Sequence, residues 1–297
     1  MAEQKILITQ PQKDYELLDS GLGEKLERYG KFILRRPDPQ ALWPYSLDIK
    51  KWGAADAAFE RIGREGSWNI KTELPERWQI ELGGIKFLIR PTAFKHTGVF
   101  PEQAPNWDWI KNKIKDQKLK IKNSERVSVL NLFGYTGGAT LAAAQAGAEV
   151  CHVDGSKTAI GWARDNAELN DLSKAPIRWI LDDAVKFVER EIKRGRKYDG
   201  IILDPPAFGH GPNGEMWKIE KDFMYLIDLC EQVLSDKPLF LLINGYASGY
   251  SAIAYENNLL RLKEKFGGEI EKGELTIEES KSSRLLPCGI FARWNGK

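Results

Sequence analysis

Four clusters in this 297-residue chain carry residue types at spacings suited to holding and reacting a ligand. The first is Asn131-Leu-Phe-Gly-Tyr-Thr-Gly-Gly-Ala139, which joins an apolar run to a helical pattern. Its glycines, Gly134 and Gly137 foremost, let the backbone turn tightly and approach a ligand that a Cβ would exclude. Exposed N–H groups at the helix start then favour an anionic group, a phosphate or an amino-acid carboxylate. The spacing does not reproduce Gly-x-Gly-x-x-Gly, so a structural turn is the plainer alternative for this loop alone. The second cluster centres on Asp154, twenty residues past Gly134. A carboxylate at the end of a second strand can accept hydrogen bonds from both hydroxyls of a ribose. Asp182-Asp183 is the third; a carboxylate there suits an adenine amino group, with helix capping an equal alternative for either residue. The fourth is Asp204-Pro-Pro-Ala-Phe208. Two prolines fix the backbone and remove two donors, leaving carbonyls directed at a ligand. Beside Asp204 they suit an amine or base edge, and Phe208 offers a stacking face.

Two further segments are less distinctive. Gly209-His-Gly-Pro-Asn-Gly-Glu-Met-Trp217 reads as a mobile lid or target-binding loop, or equally as an exposed turn, and His210 is a weak candidate base. Phe94-Lys-His-Thr-Gly-Val-Phe-Pro-Glu-Gln103 is aromatic and polar without periodicity. It suits either closure over a ligand, with Thr97 and Gln103 as donors or acceptors, or plain packing between domains.

These clusters need strand ends to hold them. Residues 127–133 form a near-continuous apolar run, as strands buried on both faces of a parallel sheet do. Four more strands are expected at 148–154, 177–181, 198–204 and 239–244, separated by helical patterns at 139–146, 157–170, 184–194 and 219–234. Such alternation predicts an α/β fold, a Rossmann-like doubly wound sheet of five parallel strands. A helix at 251–266 and an antiparallel pair at 269–277 and 290–294 close it. The first hundred residues instead show strand-like runs at 15–18, 31–34, 78–82 and 85–89, a Gly83-Gly84 hairpin turn and one helix at 54–61. The expected organisation is a small β-rich domain over 1–104, a connecting helix over 105–125 and a ligand-binding domain over 126–297. The connector's lysines (Lys111, Lys113, Lys115, Lys118, Lys120, Lys122) read as a solvated face, with a nucleic-acid patch as the alternative.

Composition narrows the class. Apolar residues make up 42% and charged residues 29%, which admits a sizeable core and excludes a disordered chain. A net charge of +2 is too mild to imply a nucleic-acid partner by itself. No apolar run approaches the ~20 residues that span a bilayer. Lys5, Gln10, Gln12, Lys13 and Asp14 interrupt any signal-peptide core, so a cytoplasmic location without a membrane partner is expected. Cys151, Cys230 and Cys288, like His96, His152 and His210, are spaced for no metal, and none is expected.

Taken in order, Lys95-His-Thr-Gly-Val-Phe-Pro-Glu-Gln103, Asn131-Leu-Phe-Gly-Tyr-Thr-Gly137, Val153-Asp-Gly-Ser156 and Asp204-Pro-Pro-Ala-Phe208 resemble a known family. It is that of the S-adenosylmethionine-dependent methyltransferases related to bacterial 23S ribosomal RNA 5-methylcytosine methyltransferases. The resemblance runs over residues 15–294 and implies a class I methyltransferase sheet, S-adenosyl-L-methionine as cofactor and RNA as substrate. By it, Gly134 to Gly137 would contact the methionine part, Asp154 the ribose and Asp183 the adenine, while Gln103 would help close the site. Thr97, Asn131, Phe133, Tyr135, Thr136, Ser156 and Asp182 complete the expected cofactor contacts. Asp204, at the junction of cofactor and target, would form the catalytic set with Pro205 and Phe208.

Two features depart from the RNA-modifying members. On the length of this sequence, their N-terminal PUA domain is not expected. The position after the fifth strand reads Ile243-Asn-Gly-Tyr-Ala-Ser-Gly249, whereas C5 methylation of cytosine needs a cysteine thiolate there to attack C6. Cys151 and Cys230 read as core, and Cys288 follows Pro287 near the last strand. The expected reaction is therefore direct in-line transfer to a nitrogen or oxygen of RNA, with a protein or small-molecule acceptor as the alternative. A nicotinamide-dependent dehydrogenase would need the missing glycine fingerprint. A non-catalytic nucleic-acid-binding module would leave four clusters at successive strand ends without a purpose.

Overall fold

The computed structural model describes residues 3–62, 65–93, 95–120, 126–246 and 249–296. Phe94, Lys122 and the Ala247-Ser248 pair, singled out above, lie outside the described residues. The elements begin with β1 (Gln4–Thr9), β2 (Tyr15–Gly21), β3 (Glu24–Tyr29), β4 (Phe32–Pro37), α1 (Ile49–Gly53), β5 (Ala57–Ile62), β6 (Glu65–Ile70), β7 (Trp78–Leu82) and β8 (Ile85–Ile89). There follow α2 (Ala104–Lys118), β9 (Ser128–Leu132), α3 (Gly138–Gln145), β10 (Glu149–Asp154), α4 (Lys157–Leu169), β11 (Ile177–Leu181), α5 (Ala184–Lys193) and β12 (Gly200–Leu203). A short pair, β13 (Phe208–His210) and β14 (Met216–Lys218), precedes α6 (Ile219–Val233), β15 (Phe240–Gly245), α7 (Ala252–Phe266), β16 (Glu269–Glu278) and β17 (Leu285–Asn295).

The chain forms two compact units. One comprises Met1–Ile6, Asn106–Glu274 and Gly289–Lys297; the other comprises Leu7–Pro105 and Leu275–Cys288. The first carries the mixed sheet, in the order β1-β16-β17-β15-β12-β9-β10-β11. β15, β12, β9, β10 and β11 run parallel, and β17 is antiparallel to β15. This is the expected α/β sheet with its closing antiparallel strands. Strands β12 and β15 are buried at every residue, which explains why they read as unbroken apolar runs. On one face, Leu130, Ile201, Leu203, Leu241 and Ile243 pack with Phe187 of α5, Leu226 of α6 and Leu259 of α7. Each such side chain contributes roughly 1.5–3 kcal/mol by leaving water. The strand order reverses between β9 and β12, and a crevice outside the carboxyl ends at such a switch point is where open α/β sheets bind ligands. No helix among the described residues is long and apolar enough to cross a membrane.

The second unit holds the five-stranded sheet β2-β3-β4-β5-β6 and the β7-β8 hairpin. Gly83 and Gly84 both take positive φ (59° and 70°) in that hairpin, the conformation a tight primed turn requires. The helix expected at 54–61 is absent. Asp48 caps the short α1 by accepting from the Lys50 N–H at 2.8 Å. The alanine-rich stretch after it becomes β5, paired antiparallel with β6 and parallel with Leu34-Arg35 of β4. Helix-forming alanines yield here to the ladder and to burial of Ala57, Ala58 and Phe59. Fully buried Glu27 accepts from Tyr15 Oη (2.9 Å), Tyr29 Oη (3.1 Å) and Arg36 Nε (2.8 Å). Burial alone would raise its pKa, but Arg36 and then Lys25 bring it below the usual range. Arg36 also donates to the Lys95 carbonyl at 3.0 Å, fixing the start of the segment that bears Thr97.

Candidate active site at the carboxyl edge of the sheet

After β9 the backbone enters the left-handed region at two aromatic residues, Phe133 (φ 58°) and Tyr135 (φ 48°), and again at Gly137 (φ 94°). Such a conformation costs a non-glycine residue about 1–3 kcal/mol and concentrates at ligand sites. Hydrogen bonds hold it in place. Gly134 N donates to the Val153 carbonyl (3.0 Å), Gly137 N to the Gly134 carbonyl (3.0 Å) and Tyr135 N to Asp154 Oδ2 (2.8 Å). Gly137 caps α3 without any side-chain bond, an arrangement in which the first-turn amides suit an anionic group. A Cβ on Gly134 would stand 2.4 Å from His152 Cε1. Gly134→Ala is therefore expected to destabilise the fold by about 1–3 kcal/mol through overpacking, read as a lower Tm in thermal denaturation. An unchanged Tm would mean that the ring yields at no cost.

His152 is fully buried, and burial pushes its pKa down to about 3, so the ring is neutral. Its Nδ1 lies 2.9 Å from Thr140 Oγ1, which accepts from Asn131 Nδ2 at 2.9 Å. Asn131, expected at the cofactor, is only 2% exposed and ties its amide nitrogen into this chain. Thr136 is likewise buried, with its carbonyl accepting from Asn166 Nδ2 at 3.0 Å.

Asp154 ends β10 half-buried. Oδ2 accepts from Tyr135 N and Oδ1 from Ser156 N, each at 2.8 Å. Burial raises its pKa against the opposing pull of these two bonds. The carboxylate is thus held in one orientation with lone pairs left for further donors. Ser156 caps α4 by accepting from Ala159 N at 3.2 Å. Asp183 caps α5 in the same way, through Lys186 N at 2.9 Å. Asp182 donates its N–H to the Asp154 carbonyl (3.1 Å), accepts from Asp183 N (2.9 Å) and pairs with Arg190.

β12 pairs Leu203 with Leu132, which puts Asp204 at the switch point beside the β9 loop. Pro205 is buried and Phe208 is 50% exposed, its ring edge-on to His210 at 4.9 Å. Not all carbonyls of this segment face a ligand, contrary to expectation. The Pro206 carbonyl accepts from Trp217 Nε1 at 2.7 Å and the Ala207 carbonyl from Ile219 N at 3.1 Å. Residues 209–217, which read as a loose loop or lid, lie within the β13–β14 hairpin, anchored by Trp217.

Two aromatic residues at this edge escaped notice in the sequence. Trp217 is 4% exposed and packs 5.0 Å from Phe133. Tyr255 of α7 stacks on Phe223 and sets its hydroxyl where a Cβ on Gly245 would meet it at 2.4 Å. Burial, then the Asp204 carboxylate, push that phenol up to about 12. Its only signal was the apolar spacing of a core helix. Thr97 and Gln103 belong to the second unit, where Thr97 is fully buried and Gln103 ends the 3₁₀ turn Pro101–Gln103 with 5% exposure.

A strained loop before an uncapped helix, with an oriented carboxylate on the next strand, suits a ligand that joins an amino-acid carboxylate to a ribose. Residues 61–259 match the family described as S-adenosylmethionine-dependent methyltransferase, and the chain belongs to that family. Its cofactor is S-adenosylmethionine. The protein is similar to the solved structure of the SAM-dependent methyltransferase from Agrobacterium tumefaciens, at 43% identity and TM-score 0.92, covering 99% of this chain and 94% of that one. It is 29% identical over 203 residues to ribosomal RNA large subunit methyltransferase K/L of Syntrophotalea carbinolica, a match taking in 68% of this chain and 25% of the relative. It is 38% identical over 130 residues to ribosomal RNA large subunit methyltransferase I of Aeromonas salmonicida, taking in 43% of this chain and 30% of the relative. The chain thus spans under a third of the length of these curated relatives.

Proposed function

We propose that the protein methylates RNA, ribosomal RNA foremost, in the cytoplasm, by direct transfer to a base nitrogen or oxygen. The observation that carries this reading is the position of Asp204-Pro-Pro at the switch point, one strand from the Gly134–Gly137 loop. The RNA acceptor is supported by the names of the relatives and by the exposed ring of Phe208 beside Asp204.

S-adenosylmethionine supplies a sulfonium methyl group already activated for displacement. The protein's own work is alignment and the exclusion of water. The Gly134–Gly137 loop and the first turn of α3 hold the amino-acid carboxylate, Asp154 the ribose hydroxyls, and the Asp182-Asp183 turn the base. Asp204 accepts a hydrogen bond from the acceptor N–H or O–H, which turns the acceptor lone pair towards the methyl carbon. Its carboxylate would take the proton that the acceptor releases on methylation, and the thioether product of the donor would be the leaving group. Pro205 holds the backbone at Asp204, and Phe208 stacks on the base.

A thiolate adduct at a ring carbon finds no support at this edge. Cys151 and Cys230 are in the core of the first unit, and burial pushes the Cys151 thiol up to about 11 and the Cys230 thiol higher still. Cys288 belongs to the second unit. The test is transfer of labelled methyl from S-adenosylmethionine into total RNA, followed by nucleoside digestion. Labelled RNA carrying the methyl on nitrogen or oxygen supports the reading. Intact cofactor binding with unlabelled RNA overturns the acceptor and directs attention to proteins or small molecules.

A further inference from the structure

The β13–β14 hairpin touches each of the four segments to which the proposed mechanism gives a role. Trp217 donates its indole N–H to the Pro206 carbonyl at 2.7 Å and lays its ring 5.0 Å from Phe133. The His210 carbonyl stands 3.0 Å from where a Cβ on Gly155 would be, next to Asp154. Glu215 pairs with Lys186 at 2.8 Å, in the first turn of the helix that Asp183 caps. One short element thus joins the three donor loops to the acceptor loop.

We propose that Trp217 is a positioning residue that couples the donor loops to the Asp204-Pro-Pro segment. This deepens the methyl-transfer reading and rests on it. A ligand that orders the loop around Phe133 also orders the indole packed on it. The indole N–H then fixes the Pro206 carbonyl, and through it the proline-stiffened backbone two residues beyond Asp204. A tryptophan serving only as core would contribute through its ring. Trp217→Phe separates the two roles, because it keeps an aromatic ring against Phe133 and removes the hydrogen bond to Pro206.

Two measurements on the full chain test this. The first is hydrogen–deuterium exchange with and without S-adenosylhomocysteine. In the parent protein the ligand should slow exchange of the amides of residues 209–218 by at least about fivefold. In Trp217→Phe, which keeps its ring on Phe133, that protection and the protection of residues 134–137 should persist, while ligand-dependent slowing of the Ala207 and Phe208 amides, just beyond Pro206, should vanish. The second is steady-state methylation, where Trp217→Phe should lose about tenfold in kcat with KM for S-adenosylmethionine unchanged. Hairpin amides indifferent to S-adenosylhomocysteine, or a variant with full kcat, would overturn the coupling. The exchange experiment needs no acceptor, so parent protein that leaves RNA unlabelled speaks only against the RNA reading.

Discussion

Asp204→Ala should lower kcat by about 10²–10⁴ while leaving the affinity for S-adenosylmethionine within a few-fold, because the carboxylate acts on the acceptor rather than on the donor. Its location makes the two effects separable. Asp204 follows β12, whereas the strained loop, the uncapped helix and Asp154 lie on β9, α3 and β10. Asp204→Asn keeps an acceptor oxygen but removes the base, so it should retain more activity than alanine and less than the parent protein. Calorimetry for the donor and single-turnover methylation for the chemistry give the two numbers. Full single-turnover rate in Asp204→Ala would remove this residue from the mechanism.

Asp154→Ala should have the opposite signature, weakening S-adenosylmethionine binding by roughly 30- to 1000-fold. That range converts the loss of two charge-assisted bonds to ribose hydroxyls, about 2–4 kcal/mol, at 1.4 kcal/mol per tenfold. The same carboxylate accepts from Tyr135 N and Ser156 N, so its removal also loosens the strained loop. Asp154→Asn, which replaces one acceptor oxygen by a donor, should be nearly as damaging. Isothermal titration with S-adenosylmethionine decides the matter, and undiminished affinity in Asp154→Ala would mean that the ribose is held elsewhere.

The parallel half of the fold was legible because burial on both faces leaves a strand few polar positions. β9, β12 and β15 announce themselves in this way, and the helices between them by spacing. The place of Asp154 at the end of β10 was legible for a related reason, since a strand–helix–strand unit fixes the distance from glycine loop to the next strand end. β5 was not legible, because Ala54-Ala-Asp-Ala-Ala58 has helical propensity and only its neighbours β4 and β6 make it a strand. Nor was the role of Trp217, whose partner is a carbonyl eleven residues earlier, brought to it by a hairpin of three-residue strands. Asn131 was legible only in part. A polar residue at a strand end looks like a ligand contact, and what sequence does not show is that its amide nitrogen also holds Thr140.

Residues 275–288 return to the unit formed by residues 7–105, and they bring charges that it needs. Arg284 reaches fully buried Asp19 at 2.5 Å, and Glu279 at 2.9 Å accepts from the same guanidinium while receiving the Ser20 hydroxyl. Asp19 without its cation keeps the Ser46 and Leu47 amides and the Trp52 indole N–H as donors but loses its counter-charge, at a cost of up to about 3–5 kcal/mol. A fragment of residues 7–105 expressed alone should therefore lack a cooperative thermal transition by circular dichroism; a sharp transition would show that the unit closes without its late segment. The timing of synthesis follows. A ribosome that has completed the early strands holds them without their counter-ion until some two hundred further residues have been added. A unit made almost wholly from early sequence is thereby finished late, and its nascent form is the stage at which the chain is most exposed to chaperones and proteases.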